Sequence, residues 1–197
     1  MSAVIDLRAY LGEPRSRLLV LVDLQMRNYE ELARDPYCDM GSCLENCMAA
    51  IRHARAHGLP IAFTRHGEEP RSGEPSAQSA WIPGFEPKRS DMVFERQRPS
   101  CYANRLFDNI VSQSGSFALA GLIADEACLA TAIDAAHRGH HVTFLNDAAA
   151  SRGRAGADAR SVHAITTKAM ELFVDVRATR RWMIATSPST TRGHRYG

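Results

Sequence analysis

The chain has 197 residues, 45% of them hydrophobic, and 24 Lys and Arg set against 22 Asp and Glu leave a formal net charge of +2. That length suits one domain with a substantial core, and that balance excludes nucleic-acid or membrane-surface binding by bulk electrostatics. No apolar run nears the roughly 20 residues of a membrane helix, and Asp6 and Arg8 interrupt the N-terminal apolar stretch, so no signal core is expected and the expected compartment is the cytoplasm.

The first predicted element is a strand over Leu18–Leu24, a nearly continuous apolar run of the kind buried on both faces of a parallel sheet. Leu44, Met48, Ile51 and Ala54 share a helical spacing within Gly41–His57, and Gly58 stops that helix. A second strand follows over Leu59–Thr64. Gly67–Arg89, rich in Gly, Pro, Ser and charge, is expected to be a long loop, and such loops are often functional. A short strand over Asp91–Glu95, a helix over Asn104–Gln113 and a buried strand over Ser116–Leu122 come next. A helix over Glu126–Arg138 ends at Gly139. Then follow a strand over His141–Leu145, a helix over Gly156–Met170 and a short strand over Phe173–Val176. Residues 1–186 are read as a single domain, and 187–197 as a disordered tail.

Strands and helices alternate about six times, which predicts an α/β fold: a three-layer α/β/α sandwich around a mostly parallel, six-stranded, doubly wound sheet. Such sheets bind ligands beyond the carboxyl ends of their strands. The residues there are Asp23 to Tyr29, Arg65 and His66, Arg96 to Tyr102, and Ile123 to Cys128. There is no GxGxxG or GxxxxGK[ST] to suggest a nucleotide, and no cofactor is expected.

Five cysteines, Cys38, Cys43, Cys47, Cys101 and Cys128, make an odd number, which argues against a disulfide framework. Cys43 and Cys47 share a helix face, and Cys38 would complete a set of three ligands. No CxxC or Cys/His pairing supports a metal, so these cysteines are expected to pack as small apolar side chains.

Three strand ends carry a recognisable set. Asp23-Leu24-Gln25 with Tyr29 resembles the D-x-Q-x-x-x-[FY] of isochorismatase-like hydrolases, the cysteine hydrolase superfamily. Arg96 with Ser100-Cys101-Tyr102 resembles that family's K-x-x-x-S-A-F. Gly121 to Ala135 resembles its G-x-x-T-[DN]-x-C-V-x-x-T-A-x-D-A, with Thr131 and Asp134 in register. Asn146-Asp147-Ala148 and His163 are further matches, and the resemblance runs from about Arg17 to Ala178.

The resemblance implies a hydrolase of a small organic molecule, usually oligomeric, with an aspartate, a lysine and a cysteine at work. The base takes the thiol proton, the cation favours the thiolate, and backbone N–H groups at a helix N-terminus stabilise an oxyanion. It also implies a non-proline cis peptide near Leu122-Ile123. The chain departs from the pattern twice. Ala127 occupies the nucleophile position and Arg96 the lysine position, and arginine stays charged and cannot shuttle a proton.

Ala124, Ala127, Cys128 and Thr131, with Trp81-Ile-Pro-Gly84, resemble the branch of true isochorismatases, which use the aspartate as general acid without a covalent intermediate. Isochorismate itself would be repelled by Asp125 and Glu126 unless Arg65, Arg71 or Arg96 offset them. Thr64-Arg65-His66 replaces the D-x-H metal motif of nicotinamidases, so no metal is expected.

The catalytic candidates are therefore Asp23 as general acid or base, Arg96, Ala127 as the nucleophile position, and Cys128. The substrate-binding candidates are Gln25, Tyr29, Arg65, Trp81, Ser100, Tyr102, Ile123 and Asp125. Three alternatives stay open: a catalytically silent relative that binds a small ligand, a cysteine amidohydrolase with Cys128 re-registered into the site, or an engineered Cys→Ala at Ala127. On an α-helix, Cys128 points about 100° away from Ala127, which favours a packed, unreactive thiol.

Overall fold

Every residue of β1, Leu18–Val22, is buried, as a strand covered on both faces requires. In this computed structural model, which describes residues 17–67 and 79–188, β1 lies at the centre of a six-stranded sheet. Parallel neighbours flank it, β2 (Ile61–His66) on one side and β4 (Ser116–Leu122) on the other. The strand order is β3-β2-β1-β4-β5-β6, with β3 Met92–Arg96, β5 His141–Ala150 and β6 Asp175–Arg177, and every pairing is parallel.

Alternate residues of β1 feed two cores. Leu19 and Leu21 pack with α1 (Met26–Leu32), α2 (Met40–Ala56) and α6 (Thr179–Thr186). Leu18, Val20 and Val22 pack on the other face with α3 (Arg105–Ser114), α4 (Leu129–His137) and α5 (Ala159–Met170). This is the expected α/β/α sandwich, doubly wound. The chain order reverses between β1 and β4, so the carboxyl ends of those strands form the switch point. There the two backbones nearly touch. A Cβ on Gly121 would sit 2.2 Å from the Val22 carbonyl oxygen, and the φ of +125° at Gly121 suits only glycine.

Three differences from the expected elements matter for the site. α1 and α6 are short helices, of 7 and 8 residues, without a long apolar period to announce them. β5 runs on to Ala150, because its pairing with β4 resumes beyond an irregularity at Leu119/Gly121. The helix expected from Glu126 is preceded by a π-helical turn over Ala124–Cys128, before α4. The expected tail lies, from residue 189 onward, outside the described residues, as do residues 68–78 of the long loop, Arg71 among them. Among the described residues, no helix is long and apolar enough to cross a membrane.

Candidate functional site

Asp23 follows β1 directly. Its N–H donates to the Thr64 carbonyl of β2 at 2.9 Å, while its own carbonyl accepts from Gln25 N–H at 2.7 Å and from Asn28 Nδ2 at 3.0 Å. Held this way, Asp23 takes a left-handed φ of +51°, a conformation uncommon outside glycine and concentrated at functional sites. Arg96, the last residue of β3, reaches past β2 and ion-pairs with Asp23 Oδ2. A second bond, from Arg96 Nη1 to the Arg98 carbonyl at 2.7 Å, fixes the guanidinium.

Both side chains are almost wholly excluded from water, with 7% of Asp23 and 2% of Arg96 exposed. Asp23 Oδ1 and Arg96 Nε have no hydrogen-bond partner among the described residues. One oxygen of the carboxylate is thus occupied and the other is unused. Burial pushes the Asp23 carboxyl above its ordinary value, against the opposing pull of Arg96, His66 and Arg27.

Gln25 and Trp81 stand beside this pair. Gln25 Oε1 accepts from His66 N–H at 3.1 Å, and its Nε2 donates to the Ser79 carbonyl at 3.2 Å. Trp81 bridges to Gln25 in an isolated antiparallel pair, and Ile82 N–H reaches the Leu24 carbonyl at 3.0 Å. Trp81 meets Phe63 edge-on, with Arg65 lying 5.9 Å above its ring. Arg65 itself is ion-paired to Glu95. Tyr29 is half-buried against the core on the α2 side. An open cleft of about 600 Å³ adjoins Arg96, with Arg98, Asn104 and Arg105 in its wall.

Two candidates from the third strand end face elsewhere. Ser100 caps a single 3₁₀ turn, Cys101–Ala103, by accepting from Tyr102 N–H at 3.3 Å. Tyr102 is no wall of the Asp23 site. Its hydroxyl bonds His140 Nδ1 at 2.7 Å, and Arg138 covers its ring at 4.3 Å. Both partners lie just before β5, toward the opposite end of the sheet, because the 3₁₀ turn swings alternate side chains apart. Cys101, part of that motif but not among the site candidates, is the side chain turned toward the strand ends. Its thiol lies 3.6 Å from Thr64 Oγ1, and its N–H bonds Thr131 Oγ1 at 3.0 Å. Burial raises this thiol, with Arg96 pulling the other way.

At the end of β4 no cis peptide occurs among the described residues, so the expectation at Leu122-Ile123 is corrected. The chain instead turns by placing Ile123 in the left-handed region, φ 59° and ψ 58°. For a β-branched residue that conformation is costly, and it sits beside the strained Asp23. Ile123 O accepts from Glu126 N–H at 3.2 Å and Ala127 N–H at 3.0 Å, and the turn widens to a π-helix where Leu129 N–H donates to the Ala124 carbonyl five residues back. The α-helical rotation assumed between Ala127 and Cys128 therefore does not apply. Both residues nonetheless pack into the α3/α4 core, Cys128 without any exposure. Burial pushes the Cys128 thiol well up, and Cys101 and Asp23 push the same way, against Arg96. Cys43 and Cys47 are buried on the face of α2 toward the sheet, and Cys47 Sγ donates to the Ala148 carbonyl at 3.1 Å.

Asp125 and Glu126 are offset, but by arginines absent from the sequence reading. Asp125 Oδ2 takes Arg154 Nε at 2.8 Å, and its Oδ1 accepts from Arg152 N–H at 3.3 Å. Glu126 pairs with Arg152, which also holds Glu31 at 2.8 Å. Arg65 and Arg96 are engaged with Glu95 and Asp23 instead. Arg152 and Arg154 sit on the turn after β5, some 26 to 29 residues from Glu126 and Asp125, where no local pattern signals the pairing.

The isochorismatase domain model matches residues 17–179. The chain belongs to the isochorismatase family. Its fold recurs in an isochorismatase from Pseudomonas putida, with TM-score 0.74 and 23% identity over 84% of this chain and 90% of that one. It recurs in a cysteine hydrolase from Pseudomonas syringae pv. phaseolicola, with TM-score 0.75 and 18% identity over 88% and 93%. It recurs also in N-carbamoylsarcosine amidase from Thermoplasma acidophilum, with TM-score 0.66 and 22% identity over 82% and 95%. A comparison with curated proteins returns no match.

Proposed function

We propose that this family member hydrolyses a small organic molecule without a covalent thioester, using Asp23 for proton transfer. The observation that carries the reading is the Asp23 carboxylate, one oxygen held by Arg96 and the other buried and unpartnered among the described residues. In this reading Oδ1 takes a proton from an attacking water and returns it to the leaving group. Arg96 opposes the burial that raises the carboxyl, favouring its ionised form, and cannot itself exchange protons. Gln25 and Trp81 shape the wall, and Ala127 occupies the cysteine's position in the motif resemblance.

The runner-up cysteine route is disfavoured by Cys128, which is fully buried and whose thiol burial holds protonated. A turnover screen with small amides, ureides and vinyl ethers tests the reading. Turnover that survives Cys128→Ser and is lost in Asp23→Asn supports it. A blank screen in a chain that still binds a ligand indicates a silent relative. We also infer a dimer or larger assembly from the family resemblance; sedimentation would show it.

A further inference from the structure

A second cavity, of about 290 Å³, opens at the carboxyl edge of the sheet beyond β5, between the first turns of α2 and α5. None of Asp23, Arg96 or Ala127 lines it. Ser151, the residue after β5, lies in its wall together with His163 of α5 and Asn146. Ser151 Oγ is 3.2 Å from His163 Nδ1, and His163 Nε2 is 2.9 Å from the Asn146 carbonyl oxygen.

The tautomer follows from the partners. A carbonyl oxygen only accepts, so Nε2 carries the ring proton and Nδ1 presents its lone pair to the Ser151 hydroxyl. Nucleophile, base and orienting group stand in hydrogen-bonded sequence, the arrangement that activates a serine. Cys38 shares the cavity, but burial raises its thiol to about 11, so at neutral pH it is a protonated, weak nucleophile. Ala159 and Arg160, from the start of α5, also line the wall, where Arg160 is the cation available to an oxyanion beside the carboxylates of Asp39 and Asp147.

We propose that Ser151 and His163 form a second hydrolytic centre, separate from Asp23, acting on small uncharged carboxylic esters. Ser151 Oγ bonds to the ester carbonyl carbon as its proton passes to His163 Nδ1. The tetrahedral adduct collapses, the ester C–O bond breaks, and the alkoxide departs with the proton from Nδ1. Water then gives a proton to Nδ1 and attacks the acyl carbon, and Ser151 leaves with that proton, freeing the carboxylic acid. Ala149, Ala150 and Ala159 give the cavity short apolar walls, which suit a small acyl group. Asn146 orients the imidazole through a neutral carbonyl and supplies no negative charge to stabilise an imidazolium, so esters react and amides, with their poorer leaving groups, do not.

The test is to treat the full chain with a small alkyl fluorophosphonate, map the modified peptide by mass, and follow phenyl acetate hydrolysis. Stoichiometric labelling at Ser151 is expected, and turnover should fall about 100-fold or more in Ser151→Ala and in His163→Gln. Labelling of the unaltered chain requires no variant to fold. An unlabelled Ser151 overturns the proposal. So do variants that melt earlier yet hydrolyse the ester at the wild-type rate, which would make the contact a structural tie between β5 and α5.

Discussion

Two groups of opposite charges sit at the same edge of the sheet and differ in almost everything else. Asp23 and Arg96 form a pair sealed from water, approached from strands on either side of β2 and backed by a strained backbone. Asp125, Glu126, Arg152 and Arg154 form a network in which 49% of the Arg154 side chain is exposed. Glu126 or Arg154, released from the network, is rehydrated, and Asp125, at 6% exposure, still keeps the Arg152 N–H, whereas a charge released at Asp23 or Arg96 stays buried and uncompensated. The sealed pair is therefore the one whose integrity the site depends on, and the network serves mainly to cancel the acidic turn beside it.

The largest test of that contrast is activity. Asp23→Asn should lower turnover of whichever substrate the screen finds by about 10²–10⁴-fold, the range for a lost general acid or base. Arg154→Ala should leave it nearly unchanged.

Stability comes next. Arg96→Met should cost about 3–5 kcal/mol in urea denaturation, because it strands a buried carboxylate. Comparable losses from Arg96→Met and Glu126→Gln would erase the distinction between the two groups.

Acid titration sharpens it further. The base form of Asp23 is the working one in this mechanism, so kcat/KM should fall as pH drops through its folded value, which burial places above the ordinary 3.8. The sign for stability is opposite. A raised carboxyl makes the folded chain the better proton binder, so its contribution to stability is fullest below 3.8 and is lost as pH rises through the folded value. The difference between the pH–stability slopes of the wild type and Asp23→Asn measures it.

A fourth test concerns the thiols behind the pair. Native protein at neutral pH should leave Cys128 unmodified by a thiol reagent and expose it only on unfolding, since burial both shields it and keeps it protonated. Rapid modification with loss of activity would restore a cysteine mechanism. The smallest effect belongs to Glu126→Gln, expected at under about 1 kcal/mol, as exposed pairs are.

Periodicity and punctuation were enough for the sheet. An apolar run such as LLVLV cannot be half-exposed, and Gly58, Gly115 and Gly139 mark turns that only a left-handed residue completes. Two motifs at strand ends, with the separate match at Trp81–Gly84, were enough to single out Asp23, Gln25, Arg96 and Trp81, which a parallel sheet brings together by aligning the ends of its strands.

The remaining features were decided by tertiary contacts. Whether Tyr102 or Cys101 faces Asp23 depends on a single 3₁₀ turn, and a period of one residue carries no sequence signal. The left-handed Ile123 and the π-helical turn after it arise from the space that β4 and α4 leave, against the local preference of a β-branched residue. The arginines that answer Asp125 and Glu126, and the serine that meets His163, are joined across separate elements. Their partners are chosen by where the folded backbone places them, and spacing along the chain records none of it.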